Sequence, residues 1–509
     1  MRIVALPAQR DDRRLDLLVH AGAQLEAPFL LELPAGSGLH DRMLRLADAY
    51  GIRERLSFGG GTGDASERIA VRLDGGESPS GKSTGNGDPT LGWKVESRAG
   101  TPQAPVRTLG ELVYAFEERT RSDVPIHERR VSAEPLAGER IGVMTNVLTH
   151  YRVPLWNGMS RRLEEVGAKL CVFPTDAGPG RARPWLRHEE ILFDCRPLTP
   201  GPLGGGAAFP ADLERALRDF RPTLLLSPGF SPGVTGRTLR FAKRRGIPFL
   251  LWSGDTYRQP TARGRARRLE RRWIAKRSTC GIAYGWLAAE YLRDLAPELP
   301  VVIGRNSAPF LPEPASGSGG ERVEFLAVGQ AIPRKGLDVV IDAFRLLDRD
   351  LRCGLTVAGG GPELAGLVAR ARGDERIRFL GAVESDRVLD CYREADAFLF
   401  PSRSDVFGLV LVEALGSGLA TITAAAPAST ADLAVHERNC LVVESHDPKV
   451  WAEAIRRVTE DATLPRRLAA AGRRTVLSRW TIEHSVEAQI AGFRLALLSA
   501  RQGDEHLEH

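Results

Sequence analysis

Four segments in the C-terminal half of the chain determine the expected fold. They read VEFLAVGQAIPRKGLDVVIDAF (323–344), LTVAGGGPE (355–363), IRFLGAV (377–383) and ADAFLFPSRSDVFGLVLVEALGSG (395–418). Each contains a short run of β-branched, aromatic or aliphatic residues, and amphipathic stretches with helical spacing lie between these runs. Strands that alternate with such helices are typical of a parallel, doubly wound sheet. We therefore predict a Rossmann-like domain of α/β class over 321–480.

The same alternation starts earlier, at Arg140. RIGVMTN, KLCVF, TLLLSP, PFLLWS and CGIAYG predict strands, and 155–166, 209–220 and 236–245 predict helices between them. The segment PEPASGSGG (312–320) then has the composition of a flexible connector. The sequence thus predicts two Rossmann-like domains, at 136–312 and 321–480, which bind ligands in the cleft at the carboxyl ends of their strands. A last helix, 481–506, is predicted to pack back on the first domain.

Length, composition and charge are compatible with a multidomain enzyme. The 509 residues suffice for two or three cores, and 43% hydrophobic with 26% charged residues excludes the disordered and fibrous classes. The net charge of +6 is too small for this length to indicate a nucleic-acid partner. Six scattered cysteines without a C-x-x-C pair argue against a zinc site or disulfide framework and indicate buried thiols in a reducing compartment. With neither a membrane-span pattern nor a signal-peptide pattern, we expect a cytoplasmic protein.

Two carboxylates and a helix start follow the predicted strand AFLFP. The segment from Asp405 to Glu413 predicts a helix that runs to about Gly416, in which eight residues would separate the acids by roughly 12 Å. That length suits a sugar nucleotide bound from hexose to ribose. The free N–H groups of Gly408 and Leu409 at the helix start would then face its diphosphate. Taken alone, such an acid pair also occurs by chance in many helices.

Two upstream loops provide what a diphosphate needs. Gln330, Arg334 and Lys335 follow the first strand of the domain, so that two cations lie where the loop leaves the sheet. Gly359 and Gly360 follow the next strand, where backbone without side chains can approach a ligand closely. In this order and spacing, the loops and the acid pair together indicate a nucleotide-sugar site.

These motifs, with NCLVV (439–443), resemble the retaining glycosyltransferases of the GT-B fold, the large GT4-type or group 1 family. The resemblance covers about 141–490 and is most specific over 323–443. It implies transfer of a sugar from a UDP- or GDP-linked donor to a hydroxyl of a glycan, a lipid carrier or a small molecule. It also implies retention of anomeric configuration, with neither a cofactor nor a metal.

Carried over residue by residue, the resemblance implies that Lys335 and Arg334 bind the diphosphate, Glu413 the ribose hydroxyls and Asp405 the hydroxyls of the transferred sugar. Further donor-side residues that it implies are Gly329, Gln330, Gly359, Gly360, Val383, Val406, Phe407, Gly408 and Leu409. Family members usually have Glu at the position of Asp405 and often Arg at that of Gln330. The shorter acid and the missing cation imply an altered donor choice or a lower activity.

The acceptor side is less clearly marked. His150 and Arg152 follow the first strand of the 136–312 domain, and Asp255 and Tyr257 follow PFLLWS, where family members commonly have a His. We take these four residues as acceptor-side candidates, with Arg152 the better one for contacting a phosphate. His150 fits a satisfied loop histidine equally well, and an Asp at a strand end is as often a turn residue.

A basic segment follows this region. It contains nine cations and the single acid Glu270, the cations being Arg258, Arg263, Arg265, Arg267, Arg268, Arg271, Arg272, Lys276 and Arg277. Apolar Leu269, Trp273 and Ile274 occur at helical spacing among them. Such a helix lies on an anionic membrane, attracts a phosphorylated acceptor, or is simply a solvated surface.

Residues 1–135 form an accessory block that begins with a partial repeat. LDLLVHA (15–21), AGSG (35–38) and ERLSFG (54–59) resemble LDVVIDA (337–343), AGGG (358–361) and ERIRFLG (375–381) at matching spacing. The block is therefore interpreted as a partial copy of the donor domain, in which Asp12 and Arg13 stand at the positions of Arg334 and Lys335 and no counterpart of the 405–413 segment follows. A packing, acceptor or oligomerisation role is our hypothesis for it.

Two motifs in the chain match functional patterns without the required context. GESPSGKS (76–83) satisfies the P-loop pattern, but TGNGDP follows where a helix should begin. It lies in the Gly- and Ser-rich stretch 59–92, whose composition predicts a linker. The string Asp348-Arg-Asp350 falls at a predicted helix end and is interpreted as a cap or surface pair. Alternatives to a transferase are a non-catalytic scaffold with this fold, a sugar-nucleotide epimerase or a phosphorylase.

Overall fold

The computed structural model describes three sheets joined by helices. It describes residues 135–149, 151–175, 190–201, 210–231, 233–259, 264–308, 311, 314–317 and 321–505, with the strand segments 2–6, 29–32, 56–58, 68–73 and 93–97 and the residues 19, 43 and 46–48. The second and third sheets are the two predicted Rossmann-like domains. Every strand pair in these two sheets is parallel.

The first Rossmann-like domain contains a seven-stranded sheet of order β12-β11-β10-β9-β6-β7-β8. Its strands are β6 (Arg140–Thr145), β7 (Lys169–Pro174), β8 (Asp194–Cys195), β9 (Leu224–Pro228), β10 (Phe249–Ser253), β11 (Cys280–Ala283) and β12 (Val301–Ile303). Its helices are α1 (Val153–Glu164), α2 (Leu213–Phe220), α3 (Thr235–Lys243), α4 (Arg265–Ala275) and α5 (Trp286–Leu295). β9, β10 and β11 are almost wholly buried, which accounts for their continuous apolar sequences.

The second Rossmann-like domain contains a six-stranded sheet of order β15-β14-β13-β16-β17-β18. Its strands are β13 (Val323–Val328), β14 (Cys353–Ala358), β15 (Ile377–Gly381), β16 (Ala397–Phe400), β17 (Ala420–Ala424) and β18 (Leu441–Val443). Its helices are α6 (Leu337–Leu346), α7 (Leu364–Ala371), α8 (Ser385–Glu394), α9 (Leu409–Gly416), α10 (Ala428–Leu433), α11 (Pro448–Glu460) and α12 (Leu464–Arg479). The predicted strands of both domains occur where the sequence pattern placed them.

The strand order shows where each domain can bind a ligand. In the second domain the chain runs outward from β13 through β14 to β15, and then returns to β16 on the other side of β13. The loops that follow β13 and β16 therefore diverge from one point at the carboxyl ends of the strands. Crevices of this kind are the usual binding sites of doubly wound sheets. β6 and β9 form the corresponding point in the first domain.

The last helix, α13 (Ile482–Glu505), returns to the first domain. It packs along α1 and against β11 and β12. Gly158 and Gly492 lie at this contact, where a Cβ would come within 2.8 Å of Val486 and 2.5 Å of Ile282, respectively. Among the described residues, no helix is both apolar enough and long enough to cross a bilayer.

The N-terminal block contains the third sheet, of order β3-β2-β1-β4-β5. Its strands are β1 (Arg2–Leu6), β2 (Phe29–Glu32), β3 (Leu56–Phe58), β4 (Arg68–Leu73) and β5 (Trp93–Ser97). The order β3-β2-β1-β4 matches β15-β14-β13-β16, as expected of a partial Rossmann-like repeat, whereas β5 is antiparallel to β4. Within the stretch 59–92, whose composition predicts a linker, RIAVRL forms the strand β4, which pairs with β1. The P-loop-like string 76–83 lies outside the described residues.

A few side chains of the N-terminal block enter the hydrophobic core of the molecule. Val19, Met43 and Ala47 are fully buried and belong to the cluster that contains the core of the first Rossmann-like domain. Among the three roles considered for the block, this burial favours packing.

Candidate functional site

A short loop after β13 carries the two predicted cations. Pro333–Lys335 forms one 3-10 turn, and Gly336 ends it in the left-handed conformation, with φ of 67°. Arg403, from the loop after β16, holds this turn: its guanidinium donates to the Pro333 carbonyl at 2.8 Å and pairs with Asp338 at 2.6 Å. The backbone N–H of Arg403 also donates to the Arg334 carbonyl at 2.8 Å. The two loops at the divergence point are thereby fixed to each other.

Asp405 receives both cations of this turn. Its carboxylate contacts the Lys335 ammonium directly and lies 3.3 Å from the Arg334 guanidinium. The side chains of Lys335 and Asp405 are only 12% and 11% exposed, whereas that of Arg334 is 46% exposed. The Lys335 charge is therefore shielded from bulk water and acts strongly on its neighbours, whereas the Arg334 charge is largely screened.

The helix after β16 begins later than predicted. α9 starts at Leu409, and Gly408 precedes it with φ of 101°, so Asp405 lies in the preceding turn and bonds its neighbour Val406 N–H at 3.1 Å. The estimate of about 12 Å between Asp405 and Glu413 assumed one continuous helix, and the prediction that the helix includes Asp405 is wrong. The reason is the left-handed Gly408, which breaks the helical path between the two acids.

Glu413 lies in the middle of α9 and points at a buried hydroxyl. Tyr392, from α8, is fully buried and donates to Glu413 Oε2 at 2.8 Å. Burial raises the pKa of the Glu413 carboxyl, while the Tyr392 hydrogen bond and the Lys335 ammonium oppose that rise. The single ammonium of Lys335 thus acts on both predicted carboxylates, and the three side chains form one electrostatic unit.

The glycines of the two upstream loops pack against each other. The Gly329 N–H donates to the Ala358 carbonyl, and that of Gly359 to the Gly381 carbonyl, at 3.0 and 2.8 Å. A Cβ at Gly359 would lie 1.9 Å from the Gly329 oxygen. The close packing of the two loops therefore already requires glycine at position 359, whether or not a ligand approaches it.

The other predicted donor-side residues surround these loops. Gln330 is exposed, Val383 and Leu409 are half-buried, and Gly360 packs on Ala382. The structure thus gathers the predicted donor residues at the ends of β13, β14, β15 and β16.

The loop with Val406 and Phe407 also reaches the first domain. A Cβ at Gly254 would lie 2.7 Å from a Val406 methyl, and a Cβ at Gly285 would lie 3.0 Å from the buried Phe407 ring. In α10, the buried Asp432 carboxylate accepts the Trp286 N–H, at the start of α5, at 2.9 Å. Burial raises the pKa of Asp432 to about 8. The two domains therefore meet directly beside the loop that carries Asp405.

The acceptor-side candidates lie across this contact. Arg152 donates to the Tyr284 hydroxyl at 2.7 Å and to Thr145 Oγ1 at 3.1 Å, and its guanidinium covers the Trp252 ring at 4.7 Å. These residues belong to or directly follow β6, β10 and β11, so Arg152 lies at the carboxyl ends of the first sheet. His150 lies outside the described residues.

Asp255 and Tyr257 have structural partners in the same region. The Asp255 carboxylate pairs with Arg271 of α4 at 3.1 Å, and burial raises the pKa of Asp255 while Arg271 lowers it. The Tyr257 ring, 40% exposed, packs edge-on against Tyr291 at 5.0 Å. Because Asp255 is engaged by Arg271, the structure favours a structural residue at the strand end over an acceptor contact for Asp255. Tyr257 keeps part of its ring accessible to solvent.

Two residues that hold this site were not found from the sequence. Arg403 fixes the cation loop from 70 positions away, and Tyr392 reaches Glu413 across 21 positions. Arg403 lies within the segment 395–418 and Tyr392 just before it, but the local pattern gives no signal for the partners that their side chains reach. Asp348 and Asp350 are exposed after α6, and in the described part of the chain no three His, Cys, Asp or Glu side chains gather as metal ligands.

Comparison with known proteins shows what the second domain is similar to. The sequence profile described as glycosyl transferases group 1 matches residues 313–475. That segment is therefore similar to the group 1 glycosyl transferases. It is 32% identical over 155 residues to a D-inositol 3-phosphate glycosyltransferase of Xylanimonas cellulosilytica, which is 29% of this chain and 36% of that protein. It is 30% identical over 184 residues to the enzyme of that name from Jonesia denitrificans, 34% and 43% of the two chains. The chain thus matches less than half of the length of these relatives.

Solved structures match the fold over more of the chain. A sucrose-phosphate synthase from Thermosynechococcus elongatus superposes with a TM-score of 0.54 at 18% identity, over 73% of this chain and 99% of that one. HepE from Anabaena, in complex with UDP and glucose, superposes with a TM-score of 0.53 at 14% identity over the same shares. The two Rossmann-like domains therefore have the GT-B arrangement.

Proposed function

We propose that this protein is a glycosyltransferase that moves a sugar from a nucleotide-diphosphate donor to a hydroxyl acceptor. The observation that carries the proposal is the cluster of Lys335, Asp405 and Glu413 at the strand divergence point of the group 1 domain. A shielded ammonium that contacts one carboxylate and acts electrostatically on a second provides an anion site with hydrogen-bond acceptors near it. A diphosphate flanked by a hexose and a ribose has the complementary pattern.

The two cations would stabilise the departing diphosphate. In the transfer, the bond between the anomeric carbon and the phosphate oxygen breaks, and a bond from that carbon to the acceptor oxygen forms. The acceptor proton passes to the departing diphosphate, so no protein base is needed. Lys335 and Arg334 would balance the charge that develops on the leaving group. We propose retention of configuration, because the acceptor then enters on the face that the diphosphate leaves.

Donor binding would also release Asp405. In the structure, its carboxylate is engaged by Lys335 and Arg334. A diphosphate that takes up these two positive charges leaves the carboxylate free to accept hydrogen bonds from the hydroxyls of the transferred sugar. The shorter Asp, in place of the Glu usual in the family, would then read a hydroxyl nearer to the backbone of this loop. This is our explanation of a changed donor choice.

Tyr392 is expected to set the affinity for the ribose through Glu413. In Tyr392→Phe the buried carboxylate loses the hydrogen bond of 2.8 Å that orients it. Hydrogen bonds to charged groups contribute about 1.5–3 kcal/mol, so we expect the donor Kd to rise by roughly 10- to 100-fold. The Kd values of the nucleoside diphosphate and of its dideoxyribose analogue are measured by titration for both proteins. The difference in affinity between these two ligands should be smaller in Tyr392→Phe than in the wild type. An unchanged difference would exclude Tyr392 as a positioning residue.

The proposed activity is tested by following both products. The protein is incubated with UDP- and GDP-linked sugars and a panel of hydroxyl acceptors, and the free nucleoside diphosphate and the glycoside are quantified, with the anomeric configuration determined by NMR. D-inositol 3-phosphate belongs in this panel because the relatives are named for it. An altered sugar nucleotide without any acceptor would instead indicate an epimerase. Donor binding without any product would indicate the non-catalytic scaffold.

We propose a cytoplasmic location, which is supported by the thiols. The six cysteines are free, and all but the half-buried Cys195 are buried. Thiols of this kind are typical of a reducing compartment.

A further inference from the structure

Helix α4 presents an apolar stripe to solvent. Leu269 is 68% exposed and Trp273 is 37% exposed, and they lie four positions apart on the same face of the helix. Side chains of this size are normally covered when they stand next to each other. Arg265 and Lys276 continue the same face, at the preceding turn and the following one, and both are exposed. The outer face of α4 is thus apolar in the middle and cationic at its ends.

The opposite face of α4 is anchored in the domain. Ile274 and Ala275 are buried, and Arg271 is turned inward, where it pairs with Asp255 at 3.1 Å and donates to the Tyr291 hydroxyl at 2.9 Å. Folding of the domain therefore already uses the inner face. The exposure of Leu269 and Trp273 is a property of the folded domain, since the helix cannot rotate to cover them without breaking the buried ion pair.

Charge surrounds the apolar stripe on both sides. Arg265, Arg267, Arg268, Arg272, Lys276 and Arg277 are all exposed, and Glu270 is the only acid between Arg258 and Arg277. Arg268 pairs with Asp294 at 2.6 Å, and the Arg277 guanidinium lies over the Trp273 ring at 4.7 Å. A Trp beside Leu, surrounded by cations with long side chains, is typical of a helix that lies in the headgroup region of a bilayer.

We propose that the outer face of α4 docks this protein on an anionic lipid bilayer. The apolar centre argues against a nucleic acid or a free phosphate as the occupant, because neither would cover Leu269 and Trp273. The cations on both sides argue against a second copy of the same face, because two such surfaces repel each other. An anionic bilayer satisfies both features at once, with headgroups for the cations and acyl chains for the stripe.

Docking would bring the bilayer to the acceptor side of the cleft. The loop after β10 carries Asp255 and Tyr257, and the buried pair of Asp255 with Arg271 ties this loop to α4. A membrane beneath α4 would therefore lie beside the loop that faces the cleft. For the proposed transferase, this favours a lipid-linked acceptor over a freely diffusing one; this extension alone rests on the proposed function.

Flotation with lipid vesicles tests the docking without any turnover. The full chain is mixed with vesicles of phosphatidylcholine alone or with added phosphatidylglycerol, and the bound fraction is measured as a function of salt. We expect binding to the acidic vesicles only, with an affinity that falls as salt rises. Leu269→Asp with Trp273→Asp, and separately Arg265→Gln, Arg272→Gln and Lys276→Gln together, should each lower the affinity by roughly 100-fold.

Matched controls separate the stripe from general surface effects. Leu346→Asp with Val368→Asp changes two apolar side chains of similar exposure in the other domain, 51% and 48%. Arg215→Gln, Arg218→Gln and Arg244→Gln together remove three exposed cations elsewhere in the first domain. Both controls should bind like the wild type. Equal loss in a control, equal binding to neutral vesicles, or no binding at all would overturn the proposal, and none of these results would affect donor turnover.

Discussion

Replacing Lys335 with alanine is expected to lower kcat by roughly 10²- to 10³-fold. The ammonium is nearly buried, contacts Asp405 and lowers the pKa of Glu413, so its removal leaves two carboxylates facing the position of a diphosphate. Repulsion would then weaken donor binding in addition to slowing the departure of the leaving group. Steady-state kinetics with a saturating acceptor gives kcat and KM separately.

The matched control for this variant is Lys449→Ala. Lys449 is exposed at the start of α11 and does not belong to the cluster of Lys335, Asp405 and Glu413, so this variant should have wild-type kinetics. Lys335→Arg keeps the charge but changes its geometry, and we expect an activity between those of the wild type and the alanine variant. Wild-type kcat in a folded Lys335→Ala protein would contradict the assigned role.

Replacing Gly359 with alanine is expected to destabilise the second domain by about 2–4 kcal/mol. The residue has φ of 148°, and a Cβ there would lie 1.9 Å from the Gly329 oxygen. The clashing oxygen belongs to the Gly329 backbone, and the Gly329 N–H donates to the Ala358 carbonyl. The Gly329 backbone therefore cannot move away without breaking this hydrogen bond between the ends of β13 and β14. Chemical denaturation measures the loss, and donor affinity should fall together with it.

Gly366→Ala provides the contrast. Gly366 lies in the exposed part of α7, and a Cβ there would meet no atom within 4 Å. Alanine should raise the stability by about 0.5–1 kcal/mol, because it is the better helix former. If the two substitutions had equal effects, the tight packing of the glycine loops would be refuted.

The sequence predicts the fold well where apolar runs alternate at the period of a buried parallel strand. All nine strands named at the outset, from the first near Arg140 to the last near Phe400, occur in the structure. Burial on both faces of a sheet leaves a continuous apolar signal in the sequence, and this signal is local. The short strand β4 was predicted less firmly, because it lies in a Gly- and Ser-rich stretch and its pairing with β1 spans 66 positions of the chain.

The sequence predicted individual residues of the site but not the contacts between them. Lys335 and Asp405 were each identified from local sequence, but the ion pair between them depends on two loops that meet only after folding. The sequence extended the helix of Glu413 back to Asp405, since nothing in the one-dimensional pattern shows that Gly408 adopts a left-handed conformation. Contacts between separate elements, such as that of Tyr392 with Glu413, require the three-dimensional structure.

The most direct test of the account is a calorimetric titration of the full chain with UDP- and GDP-linked sugars. We predict saturable binding of one nucleotide class at one site per chain, and a Kd at least roughly tenfold higher in Glu413→Ala, because the carboxylate between Tyr392 and Lys335 would no longer hold the ribose. Binding of neither class to the folded wild-type protein would contradict the proposed donor site, and so would equal affinity in Glu413→Ala.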